Sequence, residues 1–535
     1  MKSIFRNIIL ILCLFLLSTK SYATIYDWTG ATSTDWSNPA NWESTSGGVT
    51  TNPAATYPGP TDTVRIGVLP LTNTANFPVI SAGGATSVGN IVWGTENYLT
   101  VSLEINTTFT VNGNIENSAS VASNGNVSAY VFNLSGTGTL TVTGSLYVGY
   151  DDGFTPLDPG NNNTFAFNST IKQFTVAGGV NLNAYQGSTH HRGFLPALNI
   201  SSGTMTTSSI QSSLVNSNVY NSTLAASVTV GNSSGTPTAT LQLTGANALP
   251  SFSPYIVNTI TFNNPGATVE YSGASQTVYT DASIANLSNT ISYYNLKFSG
   301  TGVKTASGGN LNVAGDFTNT LANDGSNYLD LSALGQPSTN TVNFNGTTQN
   351  LQGGGGNGTT FYNVEFTNSG TKSMTSGTFY LADVGILTMA GSNSTQLAAG
   401  NKILTLISDS TSTATVATIP SGNSVTGTVN VQRFVHGSPA SLTMRGYRLV
   451  SSTVYTGTVG GYNVSDVTWW INGTIVTGIP GNGFDPSPLN NPSTYLYRED
   501  VTYSDVNFPT GNFKGIEKIN NSPVYMIGTQ KRLTT

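Results

Sequence analysis

A seven-residue phrase recurs along this chain: apolar, polar, apolar, polar, Gly, polar, apolar. It reads Phe109-Thr-Val-Asn-Gly-Asn-Ile115, Leu140-Thr-Val-Thr-Gly-Ser-Leu146, Phe174-Thr-Val-Ala-Gly-Gly-Val180 and Leu311-Asn-Val-Ala-Gly-Asp-Phe317. Weaker copies begin at Leu241 and Leu387 and end on Asn247 and Asn393. Side chains alternate faces along a strand, so the apolar positions and the Gly point the same way. A Gly inside a strand marks a bend or a close backbone approach. Gly113, Gly144, Gly178 and Gly315 are therefore expected to face inward near bends. The starts are 31, 34, 67, 70 and 76 residues apart, near one or two turns of a common unit. Short strands at a loose period indicate a stacked, quasi-one-dimensional β fold. The alternation alone also suits separate β-sandwiches, since both bury one strand face. The repeat offsets decide for the solenoid.

Longer segments repeat as well. Val269-Glu-Tyr-Ser-Gly273-Ala-Ser-Gln276 aligns with Val342-Asn-Phe-Asn-Gly346-Thr-Thr-Gln349 at an offset of 73. Tyr293-Tyr-Asn-Leu-Lys-Phe298 aligns with Phe361-Tyr-Asn-Val-Glu-Phe366 at 68, an offset that Lys304 and Lys372 share. The five residues lost fall in a turn, where loss is tolerated. A unit of about seventy residues is thus duplicated.

Composition excludes other classes. Only 8% of residues are charged, against about 25% in an average domain. Gly, Ser, Thr and Asn fill the space, and aromatics at 10% argue against disorder. Thr, Val, Tyr and Phe suit strands, while Gly and Asn suit turns.

The chain opens with a secretory signal at 1–23. Lys2 and Arg6 precede the apolar run Ile8 to Leu17, and Ser21-Tyr22-Ala23 is a small-x-small site cut between Ala23 and Thr24. The run is too short to span a membrane, so the mature chain is expected to carry no transmembrane segment. Cys13 lies in the signal and is the one cysteine, so no disulfide can hold the mature chain. Three of the 18 basic residues (Lys2, Arg6, Lys20) leave with the signal. The 15 that remain face 24 acids, a net charge of −9. Nucleic acid is therefore not an expected partner.

Residues 24–80 hold Trp28, Trp36 and Trp42 among Pro39, Pro53, Pro58 and Pro60, which exclude a central strand there. Bulky indoles beside Pro-rich turns suit an N-terminal solenoid cap; a carbohydrate-stacking face is the alternative. Residues 81–400 carry the repeats. From 401 the phrase is gone, and 401–535 read as an antiparallel, β-sandwich-like module. Its last strand, near Val524 to Ile527, has little chain after it, so the module is expected to be incomplete. The fold expectation is all-β: a right-handed parallel β-helix or β-solenoid between that cap and that module.

At this point the residues carry a resemblance. The elements are Trp28-Thr-Gly, Trp36-Ser-Asn and Asn41-Trp42, the Asp62-Thr-Val-Arg-Ile66 run, the Phe344-Asn-Gly-Thr-Thr-Gln349 and Phe361-Tyr-Asn-Val-Glu-Phe366 units, and Val431-Gln-Arg-Phe434 followed by Arg445-Gly-Tyr-Arg-Leu-Val-Ser-Ser452. In this order the chain resembles the large secreted surface proteins of Bacteroidetes. That likeness implies parallel β-helices joined to β-sandwich modules, exported by the type IX secretion system. Such proteins typically end in a sorting domain, and none is expected among the residues up to Thr535.

Few residues offer chemistry. Asp151, Asp152 and Asp158 form the best calcium candidate, since hard cations want several oxygens from one turn; a polar turn is the alternative. His190 and His191 are adjacent and so point opposite ways, which does not favour one shared metal. Gly231-Asn-Ser-Ser-Gly235 matches a nucleophile elbow but is followed by a second strand-like run, so it reads as a turn. Gly353-Gly-Gly-Gly-Asn-Gly358 reads the same way. Trp469 and Trp470 offer one ring to each strand face, and one could stack on a sugar. No cofactor is expected beyond that calcium. The expected function is a secreted or cell-surface structural and adhesive protein without catalysis, its candidate partners extracellular glycans or other surface proteins. The alternative is a polysaccharide lyase or hydrolase on the same scaffold, which needs clustered carboxylates.

Overall fold

The computed structural model describes residues 23–434, apart from 73–75, 96–99, 122–128, 150–162, 187–192, 216–223, 250–251, 254–255, 282–286, 335–338, 391–393 and 401–403, together with six short strands beyond. The described residues contain no α-helix, only strands and two single-turn 3-10 helices, Pro39–Asn41 and Ser332–Leu334. The chain divides into two compact units, Met1–Gln432 and Arg433–Thr535.

The first unit is built from long parallel sheets, among them one of 16 strands, one of 13 and one of 8. Within these sheets most strands pair in parallel with the strand one coil earlier and one coil later, which is the signature of a stacked β-solenoid. In the 13-stranded sheet Thr108–Val111, Thr139–Val142, Gln173–Val176, Gly203–Thr207 and Ala239–Leu243 follow one another in parallel. The register puts Phe109, Leu140, Phe174, Met205 and Leu241 in one column, all fully buried. The 16-stranded sheet supplies two further walls. Val64, Ile91, Ile115, Leu146, Val180 and Ile210 form a column on one. Val101, Phe132, Phe167, Leu198, Val228 and Ile260 form a column on the other. Every one of these residues is buried. Like residues meet like: Phe132 stacks on Phe167 with centroids 5.2 Å apart, and such aromatic pairs add about 0.5–1.5 kcal/mol beyond their burial.

The phrase is therefore strand, corner, strand. Phe109 and Val111 close one strand, Asn112 and Gly113 bend, and Ile115 opens the strand on the next wall. The bends expected at Gly113, Gly144, Gly178 and Gly315 are there, and Gly315 is buried; Gly113 and Gly144 are half-buried and Gly178 is exposed, so the inward-facing expectation does not hold at every corner. The Gly113 N–H donates to Gly89 O (2.7 Å), Gly144 N–H to Gly113 O (3.0 Å) and Gly178 N–H to Gly144 O (2.8 Å). A Cβ on Gly144 would run into the carbonyl of Gly113. The constraint acts along the stack, coil against coil.

The duplicated unit is visible in its hydrogen bonds. Buried Gln276 donates to Leu243 O and Gly245 O (both 2.9 Å) and accepts from Gly273 N–H (2.8 Å). Buried Gln349 donates to Val313 O (2.9 Å) and Gly315 O (2.6 Å) and accepts from Gly346 N–H (3.0 Å). Lys304 lies in register over Gln276, and Lys372 over Gln349.

The start of the chain differs from the expectation drawn from its prolines. Ile25–Trp28 pairs antiparallel with Trp42–Ser46 on one side and parallel with Thr63–Ile66 on the other. Pro53, Pro58 and Pro60 lie between strands and Pro39 opens a 3-10 turn, so none costs a ladder bond. Trp28, Trp36 and Trp42 are fully buried. Trp42 meets Trp28 and Trp36 edge-on, at 4.7 and 4.9 Å, and its N–H donates to Trp36 O (2.7 Å).

Parallel pairing also runs past residue 400. Leu404–Leu406 pairs with Val429–Val431, and Thr395–Ala398 with Ser424–Thr426. The phrase is absent there, yet the corner persists: a Cβ on Gly427 would meet the backbone of Gly400. In the second unit the described strands form three antiparallel pairs, Gly457–Val459 with Tyr462–Val464, Tyr495–Tyr497 with Phe513–Gly515, and Lys518–Ile519 with Ser522–Tyr525.

Candidate binding surface

Alternation that buries one residue exposes the next. Over five successive rungs of the 13-stranded sheet the outward positions are mostly threonines. One column runs Thr110, Thr141, Thr175, Thr206, Gln242. The column beside it runs Thr108, Thr139, Gln173, Thr204, Thr240. Neighbouring rungs are about 4.8 Å apart and the two columns about 6.6 Å apart, from strand geometry. Thr206 donates to Gln242 Oε1 (2.9 Å). Thr110, Thr139, Thr141, Thr175 and Thr204 have no hydrogen-bond partner for their hydroxyls within the described residues. The face is neutral until Glu270 and Lys297, which continue the first column and pair at 3.1 Å.

A second wall carries an amide ladder. Asn168 Nδ2 donates to Asn133 Oδ1 (3.0 Å), and Asn199 Nδ2 to Asn168 Oδ1 (2.9 Å). Here the donors and acceptors satisfy one another along the stack, so this wall braces itself. The threonine wall, Thr206 apart, leaves its hydroxyls to solvent or to a ligand.

The residues singled out from sequence are placed as follows. Asp151, Asp152 and Asp158 fall between Leu146–Gly149 and Asn163–Ser169, outside the described residues. So do His190, His191, Trp469 and Trp470. Ala23 is exposed, and Thr24 is half-buried beside the first strand. Gly231–Gly235 is the turn between Ala225–Val230 and Ala239–Leu243, and Gly354–Gly358 the turn before Thr359–Phe366. Among the described residues no three His, Cys, Asp or Glu side chains gather where they could hold a metal ion. No helix among them is long and apolar enough to cross a membrane. The threonine columns were missed from sequence, although Thr108-Phe-Thr110, Thr139-Leu-Thr141 and Thr204-Met-Thr206 carry the signal. Attention to the apolar half of the alternation hid the polar half.

Two buried cations lie away from this face. Lys304 Nζ donates to the carbonyls of Gly273, Ala274 and Thr301, and Lys372 Nζ to those of Asn368 and Ser369. Both side chains are fully buried. Burial pulls Lys304 down to about 8 and lowers Lys372 as well. Their partners are turn carbonyls of the stack, which makes them braces.

Comparison with known proteins returns no match to a family model, to a curated protein or to a solved structure.

Proposed function

We propose that this protein is an exported β-solenoid of the cell surface, a structural and adhesive scaffold that binds extracellular glycan without turning it over. In this reading the coil is a right-handed β-helix, the tryptophan-rich stretch 24–80 caps its first turn, and the C-terminal part is a β-sandwich-like module. Export follows the type IX route of the Bacteroidetes surface proteins that the sequence resembles. Calcium at Asp151, Asp152 and Asp158 and a stacking ring from Trp469 or Trp470 belong to the same reading.

The observation that carries it is the threonine face of the 13-stranded sheet. Apart from that of Thr206, which donates to Gln242, its threonine hydroxyls have no partner among the described residues, and they are regularly spaced and uncharged from Thr108 to Thr240. Such a face suits a long neutral polymer, which offers hydroxyls at a regular repeat and gains from many weak contacts at once.

The test is retention of the mature chain on insoluble neutral polysaccharides, with Thr141→Lys/Thr175→Lys as the variant. Both positions point outward, so the core is untouched. The account expects retention of the unaltered chain and a loss of about tenfold in affinity, near 1.4 kcal/mol, in the variant. Equal retention of both removes the face from the mechanism. Soluble oligosaccharides released by the unaltered chain would instead favour the lyase or hydrolase.

A further inference from the structure

The first described strand begins immediately after the signal sequence, and its start is held by a carboxylate. Thr24 N–H donates to Asp62 Oδ1 at 3.0 Å. The other oxygen, Oδ2, accepts from Gly59 N–H at 2.8 Å. Thr24 is fixed from its other end too, since its carbonyl accepts from Thr63 N–H at 3.0 Å. Ile25 then pairs with Thr45 on one side and Thr63 on the other. Thr24 is thus the first residue of the folded ladder, while Ala23 beside it is exposed. Asp62 is half-buried, and among the described residues it forms no ion pair with a lysine or arginine.

We infer that Asp62 is the seat of the mature amino terminus, and that cleavage after Ala23 turns this amide-to-carboxylate hydrogen bond into an ion pair. The inference rests on the export reading above. Cleavage is hydrolysis by a signal peptidase. Water's oxygen joins the Ala23 carbonyl carbon, the Ala23–Thr24 C–N bond breaks, and Thr24 leaves as a free amine that takes up protons. An α-amine has an unperturbed pKa of about 7.7–8.0 and is largely ammonium at pH 7. Asp62 then faces a full cation in place of an amide, so the attraction between two opposite charges is added to a bond that the carboxylate alone already made charge-assisted. The ammonium holds three protons, so the bond survives small movements of the terminus. Processing therefore tightens the end of the strand on which the following coils stack.

The sign of the linkage follows. A carboxylate partner raises the folded-state pKa of the amine above its unfolded value. The added stability is complete below about pH 7.7–8.0 and fades as pH rises through the raised value. The same group cannot titrate in a chain extended before Thr24, because its nitrogen is then an amide.

Two measurements test this. The first is the mass of the exported chain, which should begin at Thr24. Any other first residue overturns the assignment, and an uncleaved chain overturns it together with the export reading. The second uses chain released in vitro at Thr24 by a site-specific protease, which is independent of export. Its α-amine pKa is read from pH-dependent acylation in the unaltered chain and in Asp62→Asn. The expected result is a pKa at least one unit higher in the unaltered chain, equivalent to about tenfold slower acylation near pH 6.5, below both values. A variant with Ala-Ser placed before Thr24 leaves Asp62 intact and should lose the pH-dependent part of the stability. Equal pKa values in the two chains, with the terminus at Thr24, would overturn the ion pair while leaving export standing.

Discussion

Single residues in this protein are chosen by what lies one coil away. Lys304 illustrates it: among the described residues no acid pairs with its ammonium group, and the carbonyls of Gly273 and Ala274, one coil back, hold it together with that of Thr301. Because burial pulls Lys304 down to about 8, while an unfolded lysine titrates near 10.4, the unfolded chain binds more protons between those values. Stability must therefore rise with pH across that window, and the cost of burying the charge is fully present below it. Replacing Lys304 with Met should flatten that rise in urea titrations between pH 8 and 10. An unchanged slope would show that the side chain is already solvated in the native state. Above pH 10 the buried phenols of Tyr271 and Tyr293, both pushed up by burial, reverse the slope, because the unfolded chain then loses protons first. The lysine offset was legible in the sequence, but burial was not. Nothing in a lone Lys between Val303 and Thr305 tells that carbonyls three and thirty residues away will enclose it.

At the scale of the strand and corner, alternation and the bend at the glycine were legible, while the direction the glycine faces was legible only in part. The apolar residues of each phrase predict the buried columns, because period-two patterning has one physical solution when one face is buried. The glycine seemed to belong to the same face only because the phrase was read as one straight strand. It marks the corner between two walls, and what excludes a side chain is the carbonyl of the coil before. Gly144→Ala should therefore cost about 1–3 kcal/mol, the usual range for forced overpacking. Gly308→Ala is the control: a Cβ there meets nothing, so its effect should stay within about 0.5 kcal/mol. Urea midpoints of the two variants decide. Equal small effects would mean that the corner relaxes freely. The prolines misled for a related reason, since Pro39, Pro53, Pro58 and Pro60 forbid strands only where they stand and leave Ile25–Trp28 free to pair on both sides.

The described residues of the first unit form mainly a ladder of parallel coils, and its outward columns are the product of that stacking. A sandwich built from the same alternating sequence would bury the same apolar residues, yet it would scatter the threonines. Each column exists because residues 31 to 36 apart, such as Thr110 and Thr141 or Thr206 and Gln242, are brought side by side. The repeat offsets carried that information. The sites proposed for calcium and for sugar stacking rested on local composition, and Asp151, Asp152, Asp158, Trp469 and Trp470 lie outside the described residues. The most direct measurement is oxidative cross-linking, since Cys13 is the chain's one cysteine and precedes Thr24. Thr141 and Thr175 are register partners on adjacent rungs, with Cα atoms about 4.8 Å apart, inside the span of about 4.4–6.8 Å that a disulfide tolerates. Thr141 and Thr206 are two rungs apart, near 9.6 Å from the same spacing. The stacked coil predicts that Thr141→Cys/Thr175→Cys closes a disulfide under mild oxidation and that Thr141→Cys/Thr206→Cys does not. Closure of the second pair, or of neither, would contradict it.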